Sequence, residues 1–437
     1  MRREKPRQER RVWGLGSFLD ALAGRLSRVT SSEHLIPEVD GLRLMALMLV
    51  ILHHSVAIYL ETAQPLGPLR LPEEWSRAGH ANRFFVLVSH LGFAIPMFFV
   101  LSGFVLSLPY LRAVRDGRAR PSLKRFFLRR LTRMEPPYAI ALLFTFTLLM
   151  FQGKPFGLFA KHLAASAVYL HAAIYGAPSW ILGVAWTLEI DAQFYLALPI
   201  LQWILFRKDR TTRRALLAGV ILVGGIASQL YFDTPMVPPA LNLSLVNWIQ
   251  FFVAGFLLAD LYLDYWHNRP ASHPLYWDAA GLVCFGLIFA VVLQRPHSWL
   301  PWWMQRPWNG KAAAFLLPWL IIVAFAGVFR GPALKWLATR RWVVIGGGMS
   351  YTVYLYHYTL IELFIRPAYS IIGSSFSPVV TSILIFLLLL VPIFTVSAVL
   401  FLLVEKPFMR WRPGTPTVSH QEMALSSIAL RAREDGV

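Results

Sequence analysis

The sequence predicts an all-α polytopic membrane protein with about ten transmembrane helices and both termini in the cytoplasm. Three observations predict it. The 437 residues are 56% apolar and only 15% charged, with a mean hydropathy of +0.52, more apolar than a soluble globular chain of this size. Mostly apolar runs of about 18 or more residues recur, the length a helix needs to cross a bilayer; a membrane β-barrel would show shorter, alternating segments. Finally, Lys and Arg are shared unevenly between the segments that join these runs, as the positive-inside rule requires.

Taken in order, residues 1–36 are a basic segment without the apolar core and small-residue cleavage site of a signal peptide. The first span is therefore expected to stay as an anchor. The spans are predicted at residues 43–60, 84–108, 134–151, 184–206, 215–231, 244–263, 277–294, 312–330, 350–366 and 378–404, all within a transmembrane domain over 37–410. With the N-terminus inside, 32 of the 42 Lys and Arg fall in cytoplasmic segments and 8 in outer ones, which favours N-in and C-in. Residues 158–175 resist assignment. Counting them as a span would place the basic run RKDRTTRR (207–214) outside, and Lys161, His162 and His171 weaken their apolarity. They read as an outer-face helix or a re-entrant piece lining a cavity, where irregular backbone is tolerated. Residues 411–437, rich in Pro, Ser and charge, read as a disordered cytoplasmic tail.

Composition also excludes functions. The net charge of +19 is explained by cytoplasmic loops, so nucleic-acid binding is not expected. A single cysteine, Cys284, excludes an intramolecular disulfide and a cysteine-built metal cluster. There is no phosphate-binding glycine loop, zinc-spaced His/Glu motif or G-x-S-x-G elbow. No metal and no bound cofactor are expected.

What remains is a set of ionisable residues inside the apolar runs. Such groups are costly in lipid and face protein interior or water. The first span, DGLRLMALMLVILHHS (40–55), carries Arg43 and His54. Eleven residues put them about 16 Å apart along the helix and on similar faces. Arg43 also fits an interface anchor. WTLEIDAQFYLALP (186–199) brings Asp191 to a depth close to that of His54; a carboxylate there would orient an imidazole as a general base, with Glu189 as the rival. Ser102 in FFVLSGFVLS, beside Gly103, permits close approach of a helix or ligand. Arg130 and Arg133 share a helical face in KRFFLRRLTRMEPPY, and arginine pairs suit bidentate contact with phosphates. SYTVYLYHYTLIELF places His357 mid-span and Glu362 further out, where each could line the same cavity or tie helices together.

As an ordered set these motifs resemble the membrane-bound acyltransferase 3 family over about residues 37–410. Arg43 and His54 match its basic residue, ten residues, then His. FFVLSGF, RRLTR followed by PPY, WTLEIDAQFY, SYTVYLYH and VEKPF match its later landmarks. Two departures stand out: Asp191 occupies a position where the family usually has Glu, and Glu135 replaces a common aromatic. The resemblance implies transfer of an acyl group, acetyl above all, from cytoplasmic acyl-CoA to a hydroxyl of a carbohydrate or glycosylated acceptor across a bacterial inner membrane. It implies His54 as the catalytic residue with Arg43 as its motif partner, and Arg130 and Arg133 on the CoA phosphates; His54, oriented by a carboxylate such as Asp191, would act as a general base or carry the acyl group transiently. Trp186 and Tyr195 also fit the motif, as substrate-binding or packing residues. The alternative reading is a proton-coupled transporter or flippase of a polar metabolite or lipid-linked sugar, which would use the same buried ionisable groups.

Overall fold

The computed structural model describes residues 15–28, 35–63, 83–119, 121–205, 208–228, 237–267, 269, 271–292, 309–372 and 376–410. The expected disordered tail and the segment WLPWWMQRPW (299–308), whose tryptophans read as a membrane-interface belt, lie outside them. The described residues are helical throughout, without a strand. This is the solution lipid imposes, because a helix satisfies its own backbone hydrogen bonds.

A short helix, α1 (Leu15–Leu26), precedes the long α2 (Pro37–Ala63). Helices α3 (Arg83–Ser89) and α4 (Ala94–Arg115) are joined by a single 3₁₀ turn, and α5 (Leu123–Phe151) follows. Then come two short pieces, α6 (Phe156–Ala167) and α7 (His171–Tyr175), before α8 (Trp186–Leu205), α9 (Arg210–Ala227), α10 (Pro239–Asn242) and α11 (Leu245–Leu261). The last third holds α12 (Pro274–Val292), α13 (Asn309–Arg330), α14 (Pro332–Ala338), α15 (Arg341–Gly348), α16 (Ser350–Ile372), α17 (Pro378–Leu400) and α18 (Lys406–Arg410).

Among the described residues, seven segments are long and apolar enough to cross a membrane, and α13 with α14, bent by 87°, makes an eighth if the pair is taken as one span. Two helices that the sequence predicts as spans, α9 and α16, are not among them. The first turn of α9 carries Arg210, Arg213 and Arg214. In α16, buried Thr352, Tyr354, Tyr356, His357 and Thr359 dilute the apolar residues. A helix wrapped by other helices needs less apolar surface than one facing lipid, and α16 is such a helix.

Residues 156–183 do not form an eleventh span. Helices α6 and α7, of 12 and 5 residues, fold back on each other. The turn between them reaches Tyr138, whose hydroxyl donates to the Ser166 carbonyl at 2.9 Å, while Tyr169 stacks on the Tyr138 ring at 4.8 Å. Tyr138 lies fifteen residues into the 29-residue α5, about halfway along it. The sequence leaves an outer-face helix or a re-entrant piece, and the structure gives a short helical hairpin packed on α5. Tyr169 takes a φ of +58°, a left-handed conformation costly for a residue with a Cβ, and its stacked ring helps hold it there.

Close helix contacts use glycine where backbones touch. A Cβ on Gly103 of α4 would collide with the Phe252 carbonyl of α11, and one on Gly255 of α11 with the Val100 carbonyl of α4. The two glycines form a reciprocal small-residue contact of the kind that lets membrane helices approach. Around it lie the fully buried Phe99, Phe104, Phe194, Phe252 and Phe256. Gly103→Ala is therefore expected to destabilise the fold by about 1–3 kcal/mol. Gly286→Ala in α12, where nothing stands near a new methyl, should be neutral or stabilising. Thermal unfolding of the two purified variants in detergent checks the contrast; equal midpoints would contradict the packing argument.

Candidate active site

Two features meet inside the bundle: a histidine pair in its middle and an arginine-lined cavity at its basic end. His54 lies in α2. Its Nδ1 is 2.9 Å from His357 Nε2 in α16, and the rings stack with centroids 5.1 Å apart. His357 Nδ1 donates in turn to the Tyr354 carbonyl at 2.7 Å. His357 is fully buried. Tyr358 meets the His54 ring edge-on at 5.2 Å. The neighbouring His53 turns to another face and bonds the Val88 carbonyl at 2.9 Å.

The structure puts His357 on the His54 ring, where the sequence reading expects Asp191. Asp191 instead accepts a hydrogen bond from Ser102 and faces the guanidiniums of Arg130 and Arg43. The rival Glu189 is also engaged elsewhere: its Oε2 accepts from the Ala172 amide at 2.8 Å, capping α7 of the re-entrant hairpin. Both carboxylates share the helix and the depth that the sequence suggests. Neither is directed at His54.

Arg43 and His54 are likewise held apart, by about three turns of one helix. Arg43 Nη1 pairs with Asp40 Oδ1 at 3.0 Å, and Arg28 Nε lies 3.1 Å from Asp40 Oδ2. Asp40 is fully buried. Burial pushes the Arg28 guanidinium down to about 10, with Arg43 adding to the effect, so it remains charged at neutral pH. Arg133 Nη2 is 3.5 Å from Glu405 Oε1, and the other oxygen of this buried carboxylate accepts from Thr352 Oγ1 at 2.6 Å. Glu405 ends a π-helical turn, Phe401–Glu405, a local widening often found at functional sites. Arg130 stands over the rings of Tyr195, at 5.6 Å, and Phe126, at 5.8 Å. The Tyr195 hydroxyl points at the Met134 sulfur, 3.4 Å away.

Beside these arginines opens a cavity of about 710 Å³. Eight arginines line it, among them Arg28, Arg112, Arg129, Arg130 and Arg133, with Asp116 the one acidic residue in its described wall. A concave site of this sign attracts and holds polyanions. A chain of neighbours leads from it to the histidine pair. Arg130 faces Asp191, Asp191 faces Tyr354, and the Tyr354 carbonyl holds His357. The remaining predicted residues are more distant from the pair. Trp186 packs against Trp248 at 5.6 Å. Glu362 lies in the middle of α16, one turn beyond Tyr358, exposed, with Glu61 and Tyr358 as neighbours. The described residues hold no cluster of three or more potential metal-ligating side chains.

Sequence reasoning passed over Asp40, Glu405, Arg28 and Arg112. Asp40 lies three residues before Arg43, a spacing that signals a helical ion pair, and Glu405 sits in the VEKPF motif itself. A second histidine pair was seen only as polar residues in an apolar run. His162 Nδ1 is 2.8 Å from His171 Nε2, and His162 stacks on Trp180 at 4.1 Å. Ser166 and Ser179 bond at 2.7 Å beside it. Together these contacts close the hairpin. Burial holds both imidazoles below their usual range. Unfolded imidazoles titrate near 6.5, so the neutral pair stabilises the hairpin above that value and loses this contribution as pH falls below it. Amide exchange in residues 156–183, corrected for intrinsic rates, is expected to quicken between pH 7.5 and pH 5 and to lose that extra pH dependence in His162→Asn/His171→Asn. Exchange indifferent to pH in the parent protein would refute the closure.

Comparison with known proteins agrees with this architecture. Residues 36–402 match the family described as "Acyltransferase domain", of the acyltransferase 3 type. Searches of curated proteins and of solved structures gave no match. A match over more than four-fifths of the chain, taking in α2 with His54, α5 with Arg130 and Arg133, and α16 with His357, identifies the protein as a member of the acyltransferase 3 family of multi-pass membrane acyltransferases.

Proposed function

We propose that the protein is an O-acyltransferase of the bacterial inner membrane that takes an acyl group, acetyl in the first instance, from cytoplasmic acyl-CoA and delivers it to a hydroxyl of a carbohydrate or glycosylated acceptor at the outer face. The observation that carries this reading is the arrangement of His54. It is a half-buried imidazole within the bundle, hydrogen-bonded among the described residues through Nδ1, and linked by neighbouring side chains to an arginine-lined cavity. The basic end of the bundle is assigned to the cytoplasm by the charge distribution. There the arginines suit the diphosphate and 3′-phosphate of CoA, since guanidinium groups match phosphate geometry.

In the proposed step the acceptor hydroxyl attacks the thioester carbonyl while His54 Nε2 takes its proton. The carbon–oxygen bond forms, the carbon–sulfur bond breaks, and the proton returns from His54 to the departing sulfur as CoA-SH. Arg130 lines the cavity and neighbours Asp191, which bonds Ser102, and this suits the three to the arm that carries the thioester. Tyr358 and Glu362 stand on the opposite side, toward the acceptor.

Purified protein in detergent, supplied with radiolabelled acetyl-CoA, tests the reading through thiol release. His54→Ala should lower turnover at least about 10²-fold, the usual contribution of a general base, with the fold intact by thermal unfolding. Full activity in that variant would refute the mechanism. Substrate flux into proteoliposomes without a covalent product would favour transport instead. Arg130→Ala and Arg133→Ala should raise KM for acyl-CoA about tenfold or more, corresponding to the loss of one charge-assisted contact, and leave kcat less affected; an unchanged KM in both would remove the arginines from donor binding.

A further inference from the structure

We infer that His357 is a positioning residue for His54: anchored on the Tyr354 carbonyl, it holds the proton of His54 on Nδ1 and leaves Nε2 as the nitrogen that accepts a proton. The inference rests on the reading of His54 as the reactive group and adds how that group is prepared.

The argument follows the hydrogens. A backbone carbonyl only accepts, so the 2.7 Å contact requires a proton on His357 Nδ1. His357 is fully buried, and its ring is met by a carbonyl and another imidazole. A charge there would be buried without a counterion, so the ring is neutral and its Nε2 carries a lone pair. The 2.9 Å separation between the two rings needs one proton between them, and only His54 Nδ1 can supply it. His54 Nε2 is then the unprotonated nitrogen. This is how a hydrogen bond to one ring nitrogen sets the role of the other.

The anchor is itself fixed. The Tyr354 hydroxyl is shared between Thr187 Oγ1, at 2.8 Å, and the Val184 carbonyl, at 3.3 Å. That ties α16 to the start of α8, just after the re-entrant hairpin. His54 and His357 come from helices 303 residues apart in sequence, and their stacking leaves neither ring free to rotate without breaking the other's bond. The neutral partner has a consequence for chemistry. A carboxylate would hold the imidazolium by charge. A second imidazole instead offers only a lone pair at Nε2, which fixes the His54 tautomer without a charge.

Two variants and one spectroscopic measurement test this. His357→Gln keeps a side-chain acceptor near His54 Nδ1, and His357→Leu removes it. The Leu variant is expected to lose about 10²-fold or more in kcat, the scale of a misassigned histidine tautomer, with KM for acyl-CoA within about threefold of the parent. The Gln variant should recover most of that loss. In parent protein labelled with 15N-histidine, the signals that vanish in His54→Ala should show a protonated Nδ1 and an unprotonated Nε2. A Leu variant with parental kcat, or a His54 protonated on Nε2 in the parent, would overturn the inference. The spectrum needs no His357 variant, so the inference stays testable if the Leu variant fails to fold. An active His54→Ala would instead remove the proposed function, whereas an inactive His54→Ala beside a fully active His357→Leu would remove only the positioning role.

Discussion

A carboxylate without exposure, Asp40, meets two guanidiniums, and the basic end of the bundle is arranged around that meeting. An ionised group taken out of water must be paired, because an unpaired one costs several kcal/mol. Arg43 answers Asp40 from the next turn of α2, and Arg28 from the chain that follows α1. The backbone of Asp40 also lies so close to α15 that only glycine fits at Gly347. One buried charge thus binds three parts of the chain. Glu405 repeats the device on the other side, drawing Arg133 and Thr352 to the end of α17.

These pairings leave a net excess of arginine facing one cavity. The two carboxylates lie behind the wall and hold some of its arginines in place, while others remain turned to the space. Positioning cations by buried anions costs desolvation energy, and the return is a rigid basic surface where an exposed cluster of lysines would be mobile. The further helices then divide the bundle by chemistry. Charge gathers at the basic end, tyrosines and hydroxyls neighbour it, and a pair of imidazoles stands beyond them. Under the proposed function, that gradient suits a thioester passing from a polyanionic carrier to an acceptor hydroxyl, with each region handling a different part of the substrate.

Much of this was legible in the residues. The apolar runs announced the helices, and the charge distribution suggested which end is basic. Arg43, His54, Arg130, Arg133 and the WTLEIDAQFY stretch marked a family that the wider comparison supports. The hairpin was legible in part, since Lys161, His162 and His171 argued against a span. What the residues did not reveal was which of two adjacent carboxylates, Glu189 or Asp191, faced which neighbour. Two positions along a helix rotate a side chain by some 200°, so equal depth says nothing about direction. Asp191 turned to Ser102 and Arg130, Glu189 to the hairpin, and the place beside His54 went to His357.

By itself, then, the sequence determined the helical class, the membrane environment and the kinds of side chain available for chemistry. Each of these is written in local composition and in spacing along a single helix. Only the tertiary structure decided partnership. His54 and His357 lie 303 residues apart, Arg133 and Glu405 lie 272 apart, and no period along either segment encodes the meeting. It follows from how α4 and α11 close on their glycines and how α16 sinks into the bundle, because a hydrogen bond requires two groups within about 3 Å, and packing alone sets that distance.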